Sequence, residues 1–93
     1  MKAIWNGKVL AESDETVVIE NNHYFPAASL NMTYFNPSET TSHCSWKGDA
    51  SYYSVVVDGK ENIDAAWYYA SPDDKAKSIK NHVAFWHGIE VSE

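Results

Sequence analysis

Cysteine is the scarcest reactive residue in this sequence of 93 residues, where Cys44 stands alone. A single cysteine makes no internal disulfide and excludes a zinc site built from paired Cys-x-x-Cys motifs. Histidine offers no substitute, because the four histidines are too scattered for a local metal-binding motif. We therefore expect no metal and no cofactor, and a reducing cytoplasm is the default location.

Basic residues are also few, 7 against 13 acidic residues, which gives a net charge of −6. This charge repels phosphate backbones and anionic lipid surfaces, so we expect neither nucleic acid nor a membrane as a partner. Long apolar runs are missing as well: none approaches the ~20 residues that span a bilayer. Residues 1–20 are interrupted by polar and charged residues, unlike a signal peptide. The length fits a single domain over residues 1–93.

Aromatic residues are abundant instead, at 14% of the chain. Trp and Tyr favour sheet surfaces and pocket walls. Two hairpin signals, Asn6-Gly7 and Asp58-Gly59, lie between apolar runs, because both residues of such turns tolerate a positive φ. Strands are predicted at residues 3–5, 8–11, 16–20, 23–25, 50–57, 62–69 and 83–86, with 89–91 as an extension of the last. This pattern predicts a mainly β domain with antiparallel sheets.

Three segments complete the prediction. Residues 27–35 leave two interpretations open, a strand in the second half or a helical turn near 27–31. Residues 36–42 are polar and contain a proline, which indicates a loop. Ser71 and Pro72 suit the start of one short helix near residues 72–80, with Ser71 as its cap.

The order of motifs along the chain is characteristic. The motifs are Trp5-x-Gly7, Leu10-Ala11-x-Ser13, Tyr24-Phe25-Pro26, Thr41-x-x-Cys44-x-x-Lys47-Gly48, Ala50-x-Tyr52-Tyr53, Asp58-Gly59, Ala66-Trp67-x-Tyr69-x-x-Pro72 and Val83-Ala84-Phe85. Over almost its whole length, the chain resembles the domain of unknown function 427 family. The resemblance implies a β-tent fold, in which antiparallel sheets meet at an angle. Many proteins with that fold hold zinc on four cysteines, which this chain lacks.

The segment His43–Gly48 is the centre of the candidate site. Lys47 beside a glycine can present an ammonium at the mouth of a pocket. The candidate ligand-binding residues are Cys44, Trp46, Lys47, Gly48, Tyr52, Trp67, Tyr69 and Trp86. Core packing is the alternative for the rings, and a surface position is the alternative for Lys47. Asp64 is expected either to pair with Lys47 or to be solvated.

Binding of a small ligand in an aromatic-lined groove is the favoured function. The first alternative is an enzyme with Cys44 as the nucleophile and a distant histidine as the base. The other interpretation of Cys44 is a buried, inert thiol. The resemblance also carries a nucleotidyltransferase-like family name, although no phosphate-binding glycine-rich loop is present. A structural or partner-binding role is the remaining alternative, in a monomer or weak homo-oligomer.

Overall fold

The computed structural model describes residues 1–93 as nine β-strands and three 3₁₀ helices. The strands are β1 (Lys2–Trp5), β2 (Lys8–Glu12), β3 (Val17–Ile19), β4 (Asn22–Pro26), β5 (Phe35–Cys44), β6 (Gly48–Val57), β7 (Lys60–Tyr68), β8 (His82–Phe85) and β9 (Glu90–Ser92). The 3₁₀ helices are η1 (Ala27–Ser29), η2 (Met32–Tyr34) and η3 (Asp74–Ile79). Every strand pair is antiparallel. The prediction of a mainly β domain is therefore confirmed.

None of the helices has the length and apolar composition needed to cross a bilayer.

Six strands form the larger sheet, in the order β3-β4-β8-β7-β6-β5. The predicted turn at Asp58-Gly59 joins β6 to β7, and both residues have a positive φ, 51° and 80°. The three other strands form a smaller sheet in the order β2-β1-β9. Its hairpin turns at Asn6-Gly7, with φ of 49° and 77°. Both hairpin predictions are thus confirmed.

The smaller sheet also corrects the prediction for residues 89–91. These residues do not extend β8, because β9 pairs with β1, where Ala3 lies opposite Val91. Gly88 turns the chain away from the larger sheet with a φ of 83°. The first and last strands of the chain are therefore neighbours.

Residues 36–42 form the middle of β5 rather than a loop. The polar side chains are tolerated because β5 is an edge strand, paired with β6 alone. A register shift between Pro37 and Thr41 interrupts the pairing, as is common where proline lies in an edge strand. In residues 27–35 the helical turn is right and the strand is wrong, since η1 and η2 occupy the segment and β5 begins at Phe35.

The predicted helix near residues 72–80 is present as η3, one 3₁₀ segment with a kink at Ala76. Asp73, and not Ser71, is the residue that precedes it, and no side chain caps it. Ala76 and Ile79 are fully buried. The chain leaves η3 at Asn81, whose φ of 57° fits the expected left-handed residue.

The larger sheet is covered on both faces. Residues opposite one another in register share a face, so Phe25 with Val83, and Ala66 with Phe85, point to the smaller sheet. They pack there with Leu10 and its neighbours. The other face carries a second core of Tyr24, Ala50, Tyr69, Ala76, Ile79 and Ala84, over which η3 lies. This second face holds the candidate site.

Candidate functional site

The turn between β5 and β6 carries the central candidate residues. Cys44 ends β5, Gly48 begins β6, and Trp46 and Lys47 lie between them. The carbonyl oxygen of Lys47 accepts a hydrogen bond of 3.0 Å from the backbone N–H of Asp73. This hydrogen bond links the turn to the segment that leads into η3, on the face of the second core.

Lys47 is buried, with only 7% of its surface exposed. Its Nζ lies 5.0 Å from the ring centroid of Trp46 and 6.0 Å from that of Tyr69, within the range of cation–π attraction. The ammonium donates a hydrogen bond to the carboxylate of Glu20. The interpretation of Lys47 as a surface residue is therefore wrong.

Glu20 belongs to the turn between β3 and β4. Glu20 and Asn21 both have positive φ, 52° and 65°. The side chain of Glu20 is 55% exposed, against 9% for the side chain of Lys47. The ion pair is thus asymmetric, with a buried cation and an anion that faces the solvent.

Charges and burial set the pKa values around Lys47. Burial lowers the pKa of Lys47, but the hydrogen bond to Glu20 and the nearby Tyr24 and Tyr69 raise it, and the net shift is upward. Burial raises the pKa of Tyr69 to about 12, although Lys47 opposes this shift. At neutral pH the site therefore presents an ammonium surrounded by neutral phenols.

Cys44 is half-buried beside this turn. The backbone amide of Trp46 lowers the pKa of the Cys44 thiol, burial opposes the shift, and the amide and ammonium of Lys47 reinforce it. No histidine is hydrogen-bonded to Cys44. The rings of three histidines bond elsewhere, namely His43 with Asp49 at 2.7 Å, His23 with Thr16 at 3.0 Å and His82 with the carbonyl of Lys80 at 2.9 Å. No histidine is therefore placed to act as the base that a nucleophilic Cys44 requires.

The remaining candidate rings, Tyr52, Trp67 and Trp86, form a continuous row with Tyr24. Tyr24 accepts a hydrogen bond of 3.2 Å from the indole N–H of Trp67. Trp67 meets Trp86 edge to face at 5.2 Å, and Trp86 stacks on Tyr52 at 6.3 Å between centroids. The hydroxyl of Tyr52 then bonds Ser42 at 2.8 Å. Rings from distant segments of the chain therefore meet in this row, and their contact with a ligand stays a prediction.

Asp64 lies away from Lys47. Its carboxylate accepts hydrogen bonds from the hydroxyls of Ser38, at 2.5 Å, and Thr40, at 2.7 Å. The Ser38 bond, followed by the Thr40 bond, lowers the pKa of Asp64. Of the two alternatives for Asp64, the pairing with Lys47 is therefore wrong, because Glu20 takes that place.

A family model described as "Domain of unknown function (DUF427)" matches residues 1–92. The chain belongs to the DUF427 family. This confirms the resemblance seen in the motif order of the sequence. No protein of curated function matches the chain.

This DUF427 chain has two cavities, and neither is lined by any of the eight candidate residues. The larger, about 390 Å³, lies among polar residues near the two chain ends, including Glu12 and Glu93. The smaller, about 180 Å³, is an apolar hollow beside Leu30 and the stacked rings of Tyr53 and Tyr68. Around Lys47 the DUF427 site is closed, with rings packed on the ammonium and Glu20 bonded to it.

Two residues of the DUF427 site escaped the sequence analysis. Glu20 lies 27 positions before Lys47 and carries no motif, so nothing local marks it as a partner. Tyr24 lies in the Tyr24-Phe25-Pro26 motif, and alternation along β4 separates it from Phe25, which faces the other core. That alternation was the available signal for Tyr24.

Proposed function

We propose that this DUF427 protein binds a small planar molecule that carries an anionic or carbonyl group. Lys47 holds that group, and the rings of Trp46 and Tyr69 pack against the planar part. The observation that carries this proposal is the burial of the Lys47 ammonium between two rings, with one partner that faces the solvent.

The argument is energetic. Dehydrating an ammonium costs several kcal/mol, and a half-exposed ion pair returns only ~0–1 kcal/mol. If Lys47 served the fold alone, the folded state would have a lower free energy with the ammonium in water, where lysine side chains usually place it. The buried charge of Lys47 is therefore better explained by recognition of a ligand than by stability.

The charge of the chain and the chemistry of its rings narrow the chemical class of the ligand. The chain carries a net charge of −6, which repels polyanions, so one negative group on a small molecule suits the site better than a phosphate chain. Indole and phenol faces favour flat rings in offset or edge-to-face contact. A planar ring with a single carboxylate or carbonyl fits both conditions.

Titration of tryptophan fluorescence with a panel of aromatic carboxylates tests the proposal. Trp46 lies beside the ammonium, so a bound ligand changes its emission. We expect Lys47→Met to abolish the response and Lys75→Met, which removes one exposed charge from η3, to leave it unchanged. A response that survives Lys47→Met, or a panel that produces none with the wild-type chain, contradicts the proposal.

A second candidate function, a cysteine-dependent enzyme, is favoured by the position of Cys44, which is half-buried beside the backbone amides of Trp46 and Lys47, so that the pKa of its thiol is lowered. Thiolates are the reactive form of cysteine. If Cys44 is a nucleophile, its labelling by a thiol reagent at neutral pH is faster than that of a free thiol, and Lys47→Met slows it. Labelling at the rate of an ordinary buried cysteine dismisses this candidate.

A further inference from the structure

We infer that Glu20 occupies the position of a ligand carboxylate, so that ligand binding exchanges one carboxylate for another at Lys47. This inference rests on the proposed function and adds two points to it. The ligand is a monocarboxylate, and the chain itself supplies a competitor that controls access to the site.

The bonding pattern supports the ligand class. The Lys47 ammonium makes one side-chain hydrogen bond, to an oxygen of Glu20, and Glu20 makes no other side-chain hydrogen bond. The position beside the ammonium therefore already holds a carboxylate at the end of a short chain. A ligand carboxylate placed there leaves the charge around Lys47 unchanged, and neither exchange partner has to leave a charge unpaired in the protein interior.

The location of Glu20 makes the exchange feasible. Glu20 sits in a turn, next to β3, which has only three residues and lies at the edge of the sheet. Its side chain is already 55% exposed, so rotation into water requires little dehydration or rehydration.

The site is closed around Lys47. Neither cavity of the structure reaches Lys47, and Glu20 lies against the ammonium together with the rings of Trp46 and Tyr69. When a binding-competent state is only partly populated, the apparent affinity falls by the populated fraction. Removing the carboxylate of Glu20 therefore strengthens binding of a competing carboxylate.

Benzoate, the simplest planar monocarboxylate, is the probe, and its neutral amide benzamide is the matched control ligand. We expect Glu20→Gln to lower the dissociation constant of benzoate by up to about fivefold, equivalent to ~1 kcal/mol, without a comparable gain for benzamide. Asp58→Asn is the control variant, because it removes one exposed charge from another hairpin turn with a positive φ. That variant leaves benzoate binding unchanged.

The outcomes separate this inference from the proposed function. If benzoate binds the wild-type chain through Lys47 and Glu20→Gln does not tighten it, the inference is overturned and the proposed function stands. If neither benzoate nor the wider panel binds the wild-type chain, both are overturned. Equal tightening by Asp58→Asn also overturns the inference, since it would reflect net charge alone.

An NMR measurement follows the exchange directly. On addition of benzoate to the wild-type chain, we expect the backbone amide signals of Glu20 and Asn21 to shift together with the indole signal of Trp46. A shift at Trp46 without any change at Glu20 and Asn21 overturns the inference. Glu20→Gln retains the fold, because the replaced side chain is largely exposed, and circular dichroism checks this.

Discussion

Replacement of Lys47 by methionine distinguishes a lysine that serves binding from one that serves the fold. Methionine keeps an unbranched stem in the buried position and removes the ammonium. The carboxylate of Glu20 is 55% exposed, so it remains hydrated after the loss of its partner. We therefore expect only a small change in the free energy of unfolding.

Contributions of opposite sign set the size of this change. Loss of the half-exposed ion pair costs ~0–1 kcal/mol. Loss of the cation–π contact with Trp46, at 5.0 Å, costs ~0.5–2 kcal/mol. Contacts of the methionine sulfur with the same rings return ~0.3–1.5 kcal/mol, and no buried ammonium has to be dehydrated. We expect a net change within about 1 kcal/mol, or a shift in Tm of at most roughly 4–8 °C.

Urea unfolding followed by circular dichroism measures the change, because tryptophan emission itself responds to the loss of the neighbouring charge. Lys75→Met is the matched control and leaves stability within about 0.5 kcal/mol. A loss above about 3 kcal/mol for Lys47→Met alone refutes the reasoning, because removal of one partner from a truly buried pair has that effect. Lys47 would then be a structural residue, and the proposed function would lose its supporting observation.

Three further predictions concern pH and packing. The pKa of Tyr69 is raised from 10.0 to about 12, so its contribution to stability is complete below pH 10.0 and is lost as the pH rises toward 12, by up to about 3 kcal/mol. Burial also raises the pKa values of Tyr24 and Tyr53, so Tyr69→Phe reduces the slope of stability against pH in alkaline urea-unfolding curves without abolishing it. Ser38→Ala deletes the strongest hydrogen bond to Asp64 and raises the pKa of its carboxyl, which carbon-detected NMR titration measures; an unchanged pKa would contradict the assignment. Ile79→Ala lowers the free energy of unfolding by about 2–5 kcal/mol because Ile79 is fully buried. Lys77 is exposed, so a similar loss of stability for Lys77→Ala would show that η3 itself, and not the core contact of Ile79, had been disrupted.

Local chemistry explains which parts of the fold the sequence reveals. Asn6-Gly7 and Asp58-Gly59 are visible because the residues themselves tolerate the positive φ that their turns require. The burial of Ala76 and Ile79 is visible because they are the only apolar residues of η3. Such features depend on a few adjacent residues and need no knowledge of the partner.

Features that depend on a distant partner are not visible in the same way. β5 looks like a loop because its edge position allows polar side chains on an extended backbone. β9 pairs with β1, from the opposite end of the chain. The convergence of aromatic rings was predictable because alternation along β7 puts Trp67 on a defined face. The pairing of Lys47 with Glu20 was not predictable, because it joins two turns that only the assembled sheet brings together.

The central position of β1 in the smaller sheet has a consequence for biosynthesis. One side of β1 pairs with β2, but its other side has to wait for β9. While the chain is still on the ribosome, the N–H and C=O groups on that side find no strand until residues 90–92 have emerged. The smaller sheet is therefore completed late, and a nascent chain exposes an open strand edge of the kind that invites aggregation.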